Sequence, residues 1–485
     1  MDFSLSSHIL ILLAHALIII GSFIRIVMIR LPVGVSLAWM ILIIILPFLG
    51  AILYLLFGEK HLGRKHAKQT ASIVGRYASW LNDLPPQVLT KRAGLSPGSE
   101  SLNRLTQMSL GILAMSGNAL KLIDTAEPIL RAIIADIDRA KFFCHMEFYI
   151  LSQGGIADEV CEALVRAAER GVSCRLLLDA MGSRQFLKSN MARHLREKGI
   201  RVAAALPLGP MRALTARMDL RLHRKIVVID NETAYTGSLN LVDPRFFKQE
   251  AGVGEWVDAM VKIRGPAVYL LSALFAWDWE LETNSGPVAL PEIKKQVAGT
   301  QPGSADVQVI PSGPGIYGDR IYHLLMMTMY AARSELVITT PYFVPDEAIF
   351  NALVSTARRG VRVIIILPQK NDSRLVHYTC HSYFDALLDA GVQIFGFTGG
   401  LLHTKSIVVD GEISLFGTVN MDIRSFWLDF EVTLCSYDPG FARQLRALQQ
   451  KYIEDSEVVE PATWRNRPSR QRFIENMVRL ASPLL

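Results

Sequence analysis

The sequence predicts an α/β protein built from one unit used twice and carried behind a pair of membrane-spanning helices. Three observations predict it: a motif that occurs twice, strand-like and helical runs that alternate around each copy, and long apolar stretches confined to the N-terminus. The motif reads His, any residue, Lys, four residues, Asp, then a Gly-Ser or Gly-Thr turn and an Asn. Its first copy is His223, Lys225, Asp230, Gly237, Ser238 and Asn240; its second is His403, Lys405, Asp410, Gly417, Thr418 and Asn420. The internal spacing is the same in both, which chance does not produce twice in one chain.

The elements follow in order. Residues 9–24 are almost wholly apolar and continue past Arg25 to Ile29, and residues 33–57 carry no charge. A span needs roughly 20 apolar residues at a rise of about 1.5 Å each. The second stretch therefore qualifies outright, and the first qualifies if Arg25 reaches the interface along its apolar stem. Joined by Arg30-Leu31-Pro32, residues 1–60 are expected to form a transmembrane helical hairpin. A cleaved signal peptide is disfavoured, because residues 1–8 hold no Lys or Arg and a second apolar stretch follows at once. Lys60, Arg64, Lys65 and Lys68 outnumber Arg25 and Arg30, so the main body and both chain ends are expected on the cytoplasmic side. The expected localisation is a cell membrane, with a multi-pass anchor.

Residues 61–113 read as a juxtamembrane basic segment and linker, rich in Pro, Gly and Ser over 83–103. Residues 114–283 form the first unit, 284–306 a second linker, and 307–485 the second unit with a C-terminal tail. The units match piece by piece. Residues 142–150 and 336–344 are β-rich; amphipathic helices then end at Gly171 and Gly360, the residue type that closes helices. Apolar strands 174–178 and 361–367 follow, as buried strands of an α/β sheet do. Each unit then reaches its motif. His and Lys stand two residues apart at a strand entrance, so an extended backbone turns both toward one face.

Charge and cysteine content narrow the function. A net charge of +6 implies anionic partners, and beside a membrane anchor an acidic lipid surface fits better than nucleic acid. No interleaving of basic and aromatic residues suited to single strands is present, so no nucleic-acid partner is expected. The five cysteines are scattered without a CxxC pair, which argues against disulfides and zinc. Without HExxH or a dense acidic cluster, neither metal nor other cofactor is required. Self-association is compatible with the sequence.

The motif chemistry points to phosphodiesters. A phosphodiester's negative charge repels nucleophiles, so an enzyme must neutralise it, attack phosphorus and protonate the leaving alkoxide. Two histidines in opposite protonation states divide the last two tasks. Lys225 and Lys405 would hold the non-bridging oxygens, with Ser238, Asn240, Thr418 and Asn420 as phosphate-binding and motif-supporting groups. Asp258 and Glu431, on the next strand of each half, are candidates to orient the imidazoles. Asp230 and Asp410, members of the catalytic motif by position, lie too far along their strands and are expected to form structural salt bridges. His145, His377 and His381 read as structural, and Phe275, Trp277 and Trp279 as core. Residues 211–221 and 465–485 combine basic and apolar side chains, as a headgroup-binding surface or a solvated helix face would.

With these residues in view, the chain resembles the phospholipase D superfamily, and more narrowly the bacterial cardiolipin synthases with an N-terminal hairpin. Besides both motifs, the resemblance rests on residues 58–63 (GEKHLG), 235–245, 247–249, 339–345 (TTPYFVP), 368–373 (PQKNDS) and 399–406 (GGLLHTKS). It implies two phospholipase D-type α/β/α sandwich halves related by a pseudo-twofold, with both histidines at their interface. It implies phosphatidyl transfer between two phosphatidylglycerols, giving cardiolipin and glycerol through a phosphohistidine, with His223 as nucleophile and His403 as acid/base. Alternatives are a hydrolytic phospholipase D giving phosphatidic acid, or a synthase using phosphatidylethanolamine as donor. A membrane-anchored nuclease and a non-enzymatic scaffold are weaker readings, since a double span serves DNA poorly and a scaffold needs no intact catalytic sets.

Overall fold

The structure is a computed structural model describing residues 2–29, 31, 33–58, 64–89, 96–207, 217, 219–283, 285–292, 302–315, 320–480 and 482. The chain divides into two compact units, one of residues 1–68 with 208–220 and one of residues 69–207 with 221–485. Most of the basic, apolar segment 211–221 lies outside the described residues, as do residues 59–63 of the GEKHLG segment.

In the first unit a helix runs unbroken over Asp2–Ile29, and its portion Leu10–Ile29 is long and apolar enough to cross a membrane. The second apolar stretch departs from expectation. It forms a helix over Val33–Ile45, a second over Pro47–Leu53 and a π-helical turn over Tyr54–Gly58, with no continuous span-length helix. The break falls at Leu46, which adopts φ −131°, ψ 73°. Pro47 causes it: its ring crowds the preceding residue out of the helical region. Gly50 then fits where a side chain would not, because a Cβ there would lie 2.9 Å from the Leu42 carbonyl oxygen. Ile26, Ile43 and Tyr54 pack together, with Trp39 edge-on to Tyr54 at 5.5 Å between ring centroids. Leu10, Leu17, Phe23, Ile44 and Phe48 stay exposed. Apolar surface on that scale needs lipid or a partner to cover it.

The second unit is one continuous mixed sheet whose strand order mirrors itself about its middle. From one edge the first half runs Arg201–Ala205, Ser173–Asp179, Phe143–Phe148, Ile226–Ile229, Thr233–Gly237, Met260–Arg264 and Met115–Ile123. The second half continues Ala305–Ser312, Asp429–Ser436, Ile413–Gly417, Ser406–Val409, Glu335–Thr339, Arg362–Pro368 and Gln393–Phe397, ending on Ser456–Val458. The halves join where Met115–Ile123 pairs antiparallel with Ala305–Ser312. In each half the three outer strands of the repeat are parallel and the inner ones antiparallel.

Helices cover both faces. Ala126–Arg139 and Ile156–Glu169 pack on one face of the first half, and Arg320–Ala331 and Glu347–Arg358 occupy the matching place in the second. Ala267–Thr283 and Pro439–Glu454 share the opposite face in one core that runs across both halves. Glycine ends the matched helices: Gly171 and Gly360 take φ 87° and 89°, left-handed values that a Cβ would disfavour. The core explains several aromatic residues. Trp277 packs on Tyr77 and Trp279 on Phe275, and His145 is sandwiched between Phe143 and Phe275. His381 packs on Trp464 and Phe384 beneath the C-terminal helix Ser469–Arg479 and meets His377 at a tilt, 4.0 Å between ring centroids. The C-terminal tail is thus tied down partly by Arg467, which bridges Asp385 and Glu475.

Candidate active site

Each His-Lys pair sits between a two-residue strand and the longer motif strand, and those short strands reach across the pseudo-twofold. Arg221–Leu222 pairs in parallel with the start of Asp429–Ser436, and the His223 amide donates to the Phe430 carbonyl at 2.9 Å. In the same way Leu401–Leu402 pairs with Trp256–Val257, and the His403 amide donates to the Val257 carbonyl at 2.8 Å. The residue after each of these acceptors is a carboxylate. His223 Nδ1 lies 2.9 Å from both Glu431 oxygens, and His403 Nδ1 lies 2.7 Å from Asp258 Oδ1. Each half thus orients the imidazole of the other. The two candidate acids do face the histidines, but crosswise.

A family profile described as "Cardiolipin synthase, PLD-like domain" matches residues 133–279 and 325–452, and one described as "Phospholipase_D-nuclease N-terminal" matches residues 17–59. Proteins named cardiolipin synthase A from Klebsiella pneumoniae (strain 342) and Escherichia fergusonii are each 44% identical to the chain over 476 residues, covering 98% of both partners. The chain belongs to the cardiolipin synthase family. A solved structure, phosphatidylserine synthase from Haemophilus influenzae Rd KW20, shares the fold: TM-score 0.60 at 17% identity, over 79% of this chain and all of that one. As a member of this family with an apolar N-terminal helix, the chain is membrane-associated.

Both lysines of this cardiolipin synthase family member are buried, and each donates to the carbonyl of its own motif histidine, Lys225 at 2.7 Å and Lys405 at 2.6 Å. Burial pushes Lys225 down to about 8, against the pull of Glu431 and Asp258, and holds Lys405 well below the usual lysine range. The imidazoles respond in turn. Burial, then Lys225 and Lys405, hold His223 well below its ordinary value; burial and Lys405 hold His403 down to about 3. Both imidazoles are therefore favoured in their neutral form. The acids behind them differ. Burial raises Glu431 to about 8, whereas at Asp258 burial is outweighed by His403 and Lys405, so its carboxyl sits below the ordinary range.

The supporting groups hold the carboxylate strands. Ser238 Oγ donates to the Ala259 carbonyl at 3.2 Å and accepts from the Ala259 amide at 3.1 Å. Thr418 makes the matching pair with Val432 at 3.2 and 2.9 Å. The preceding glycines allow this approach: a Cβ would meet the Ala259 oxygen at 2.4 Å from Gly237 and the Val432 oxygen at 2.2 Å from Gly417. Asn240 Oδ1 accepts from the Ile150 amide at 3.2 Å, and Asn420 Oδ1 is buried without a partner.

The motif aspartates are a correction. Asp230 accepts backbone amides of Lys141, Phe142 and Phe143, and Asp410 those of Arg333, Ser334 and Glu335, all between 2.7 and 2.9 Å. They stand at the far end of the motif strands from the histidines, in left-handed turns at φ 53° and 51°. Instead of catalysis or the expected salt bridges, their work is to fasten the start of the neighbouring strand.

Three residues escaped the sequence reading. Tyr149 lies edge-on to His223 at 5.1 Å, and Trp256 packs on His403 at 4.4 Å, both between ring centroids. Arg224, inside the first motif, is fully buried; it donates to the Glu431 carbonyl at 3.0 Å and to the Ser312 carbonyl at 3.2 Å, and pairs with Asp278. In the second copy Thr404 takes that place and donates to the Val257 carbonyl at 3.3 Å. Laying one motif copy over the other would have exposed that difference.

Proposed function

We propose that this chain transfers a phosphatidyl group from one phosphatidylglycerol to the terminal hydroxyl of another, giving cardiolipin and glycerol. The observation that supports this most is the crossed pairing of two histidines with two carboxylates beside two buried lysines, in a member of this family. It is a phosphatidyltransferase acting on phospholipids. The diester's charge enters between Lys225 and Lys405 and offsets their repulsion, which adds to burial in keeping the imidazoles deprotonated. Asp258, the more strongly ionised acid, then favours imidazolium on His403.

His223 attacks phosphorus through Nε2, its Nδ1–H held by Glu431. The bond from phosphorus to the glycerol oxygen breaks, and His403 gives that oxygen its proton. Glycerol leaves, and the phosphatidyl group remains on His223. The hydroxyl of a second phosphatidylglycerol then loses its proton to His403 as its oxygen bonds phosphorus and the phosphorus–nitrogen bond breaks. A diester is consumed and a diester formed, so no nucleotide is needed to drive the step. Lysines and hydrogen-bond donors fixed before the substrate arrives supply the electrostatic stabilisation.

The anchor fits the same reading. We assign a two-segment membrane hairpin with the body on the cytoplasmic side, from the basic residues that follow it. Holding the enzyme at the bilayer keeps the site where both lipids are concentrated. The test is purified protein with phosphatidylglycerol alone, without metal or nucleotide, with lipids resolved by mass. Cardiolipin with equimolar glycerol is expected, and none from His223→Ala or His403→Ala. Phosphatidic acid as the main product would make the chain a hydrolase; turnover only after phosphatidylethanolamine is added would change the donor.

A further inference from the structure

The acceptor lipid carries a phosphate of its own, and the site described so far accounts only for the donor's. Lys225 and Lys405 are committed to the reacting phosphorus, while the acceptor hydroxyl must lie at His403. The second phosphate is joined to that hydroxyl by a glycerol bridge, so its counter-charge must stand a short way from His403, toward solvent.

One cation is built into that place. Trp256 covers His403, and Lys248 Nζ stands 5.1 Å from the Trp256 ring centroid and 5.6 Å from that of Phe247. Lys248 is thus one indole's width from the acid/base histidine. Its backbone takes φ 50°, a conformation that a long side chain seldom adopts and that persists only when its surroundings enforce it. The loop carrying it is clamped onto the second half: the Leu401 amide donates to the Glu255 carbonyl at 2.9 Å, and Gly254 and Gly400 meet backbone to backbone. Unlike the motif lysines, Lys248 keeps an exposed side chain, and its ion pair with Asp372 is long at 3.4 Å. Asp372 is held in turn by the Tyr342 hydroxyl at 3.0 Å. The Trp256 indole N–H is buried without a hydrogen-bond partner, a donor that a headgroup oxygen or a water would satisfy. Beside Lys248, Phe246 is 63% exposed, so the rim joins a cation to a bare aromatic, as a lipid surface requires.

We propose that Lys248, seated on Trp256, binds the phosphate of the acceptor phosphatidylglycerol and so directs the phosphatidyl group to a lipid hydroxyl in preference to water. The inference rests on the transesterase reading above. Asp372 holds the ammonium until a phosphate, with more acceptor oxygens at better geometry, replaces it. Water and small alcohols carry no phosphate and gain nothing from Lys248, which makes the selectivity measurable.

The full-length enzyme, in phosphatidylglycerol vesicles with added ethanol, yields three products from one phosphatidyl-enzyme: cardiolipin, phosphatidylethanol and phosphatidic acid. In Lys248→Met the ratio of cardiolipin to phosphatidylethanol is expected to fall about tenfold or more, the size of one lost charge-assisted hydrogen bond. Lys248→Arg is expected to restore most of it. Phosphatidylethanol made in the same tube reports an intact fold and donor step. The proposal is overturned if all three products fall in proportion, or if the ratio is unchanged. A wild-type enzyme making no cardiolipin would instead sink the transesterase reading, and this inference with it.

Discussion

The two imidazoles differ in what stands behind them, and that difference predicts which one attacks. Asp258 remains ionised beside His403, whereas burial makes Glu431 a weaker acid beside His223. An ionised partner favours imidazolium, so His403 carries the proton in the loaded site and His223 is left to attack. Mass analysis of wild-type protein quenched during turnover with phosphatidylglycerol should therefore find the phosphatidyl adduct on His223. An adduct on His403 in the wild-type enzyme would reverse the roles. The lysines predict a pH limb. Lysine is cationic below its pKa, and Lys225 is pushed down to about 8 by burial. The kcat/KM for phosphatidylglycerol should fall as pH rises through about 8, because the free site loses a cation there. Bound diester stabilises the ammonium, so the matching limb in kcat should lie at higher pH. A kcat/KM profile that stays level up to the ordinary lysine value of 10.5 would refute this.

At the scale of elements, the strand and helix order was legible because each repeat carries its own punctuation: a β-rich run, a helix closed by Gly171 or Gly360, then a buried strand. The motif histidines and lysines were legible because their spacing recurs. The crossing was not. Which half's carboxylate meets which imidazole depends on two-residue strands at 221–222 and 401–402 that pair across the pseudo-twofold, and strands so short leave no periodicity to read. Pro47 was visible in the sequence, yet apolar composition alone outweighed its power to break a helix. Arg224 was hidden for another reason: an arginine between His and Lys reads as exposed until the structure shows it buried. Its guanidinium pairs with Asp278 on the Ala267–Thr283 helix; Glu147 is buried nearby on Phe143–Phe148, and burial and the Asp278 charge push its carboxyl well above the usual range. Arg224→Met would leave those carboxyls without their cation. A loss of about 3–5 kcal/mol is expected, as for other broken buried pairs, measured by denaturant unfolding of the detergent-solubilised protein. Arg224→Met with Asp278→Leu should recover part of it, since the second change removes the stranded charge. Equal stability of the two variants would mean that Arg224 is held by the Glu431 and Ser312 carbonyls alone.

Over the whole molecule, duplication has been turned into dependence. One continuous sheet carries both motifs, and each histidine takes its orienting acid from the other half: His223 from Glu431, His403 from Asp258. A half by itself would lack both the second histidine and the carboxylate of the one it keeps. Both halves belong to one compact unit of a single chain, so the site should be complete without help from another copy, whatever the oligomeric state. That predicts the outcome of a mixing experiment. His223→Ala and His403→Ala proteins, co-reconstituted in phosphatidylglycerol vesicles, should form no more cardiolipin than either alone, because neither can lend its intact motif to the other. Restored synthesis would require halves exchanged between chains. The join between Met115–Ile123 and Ala305–Ser312 would then have to open, and the crossed short strands would have to re-form between two molecules. The packing argues against that: the core shared by the Ala267–Thr283 and Pro439–Glu454 helices runs across the join and would be exposed along its whole length.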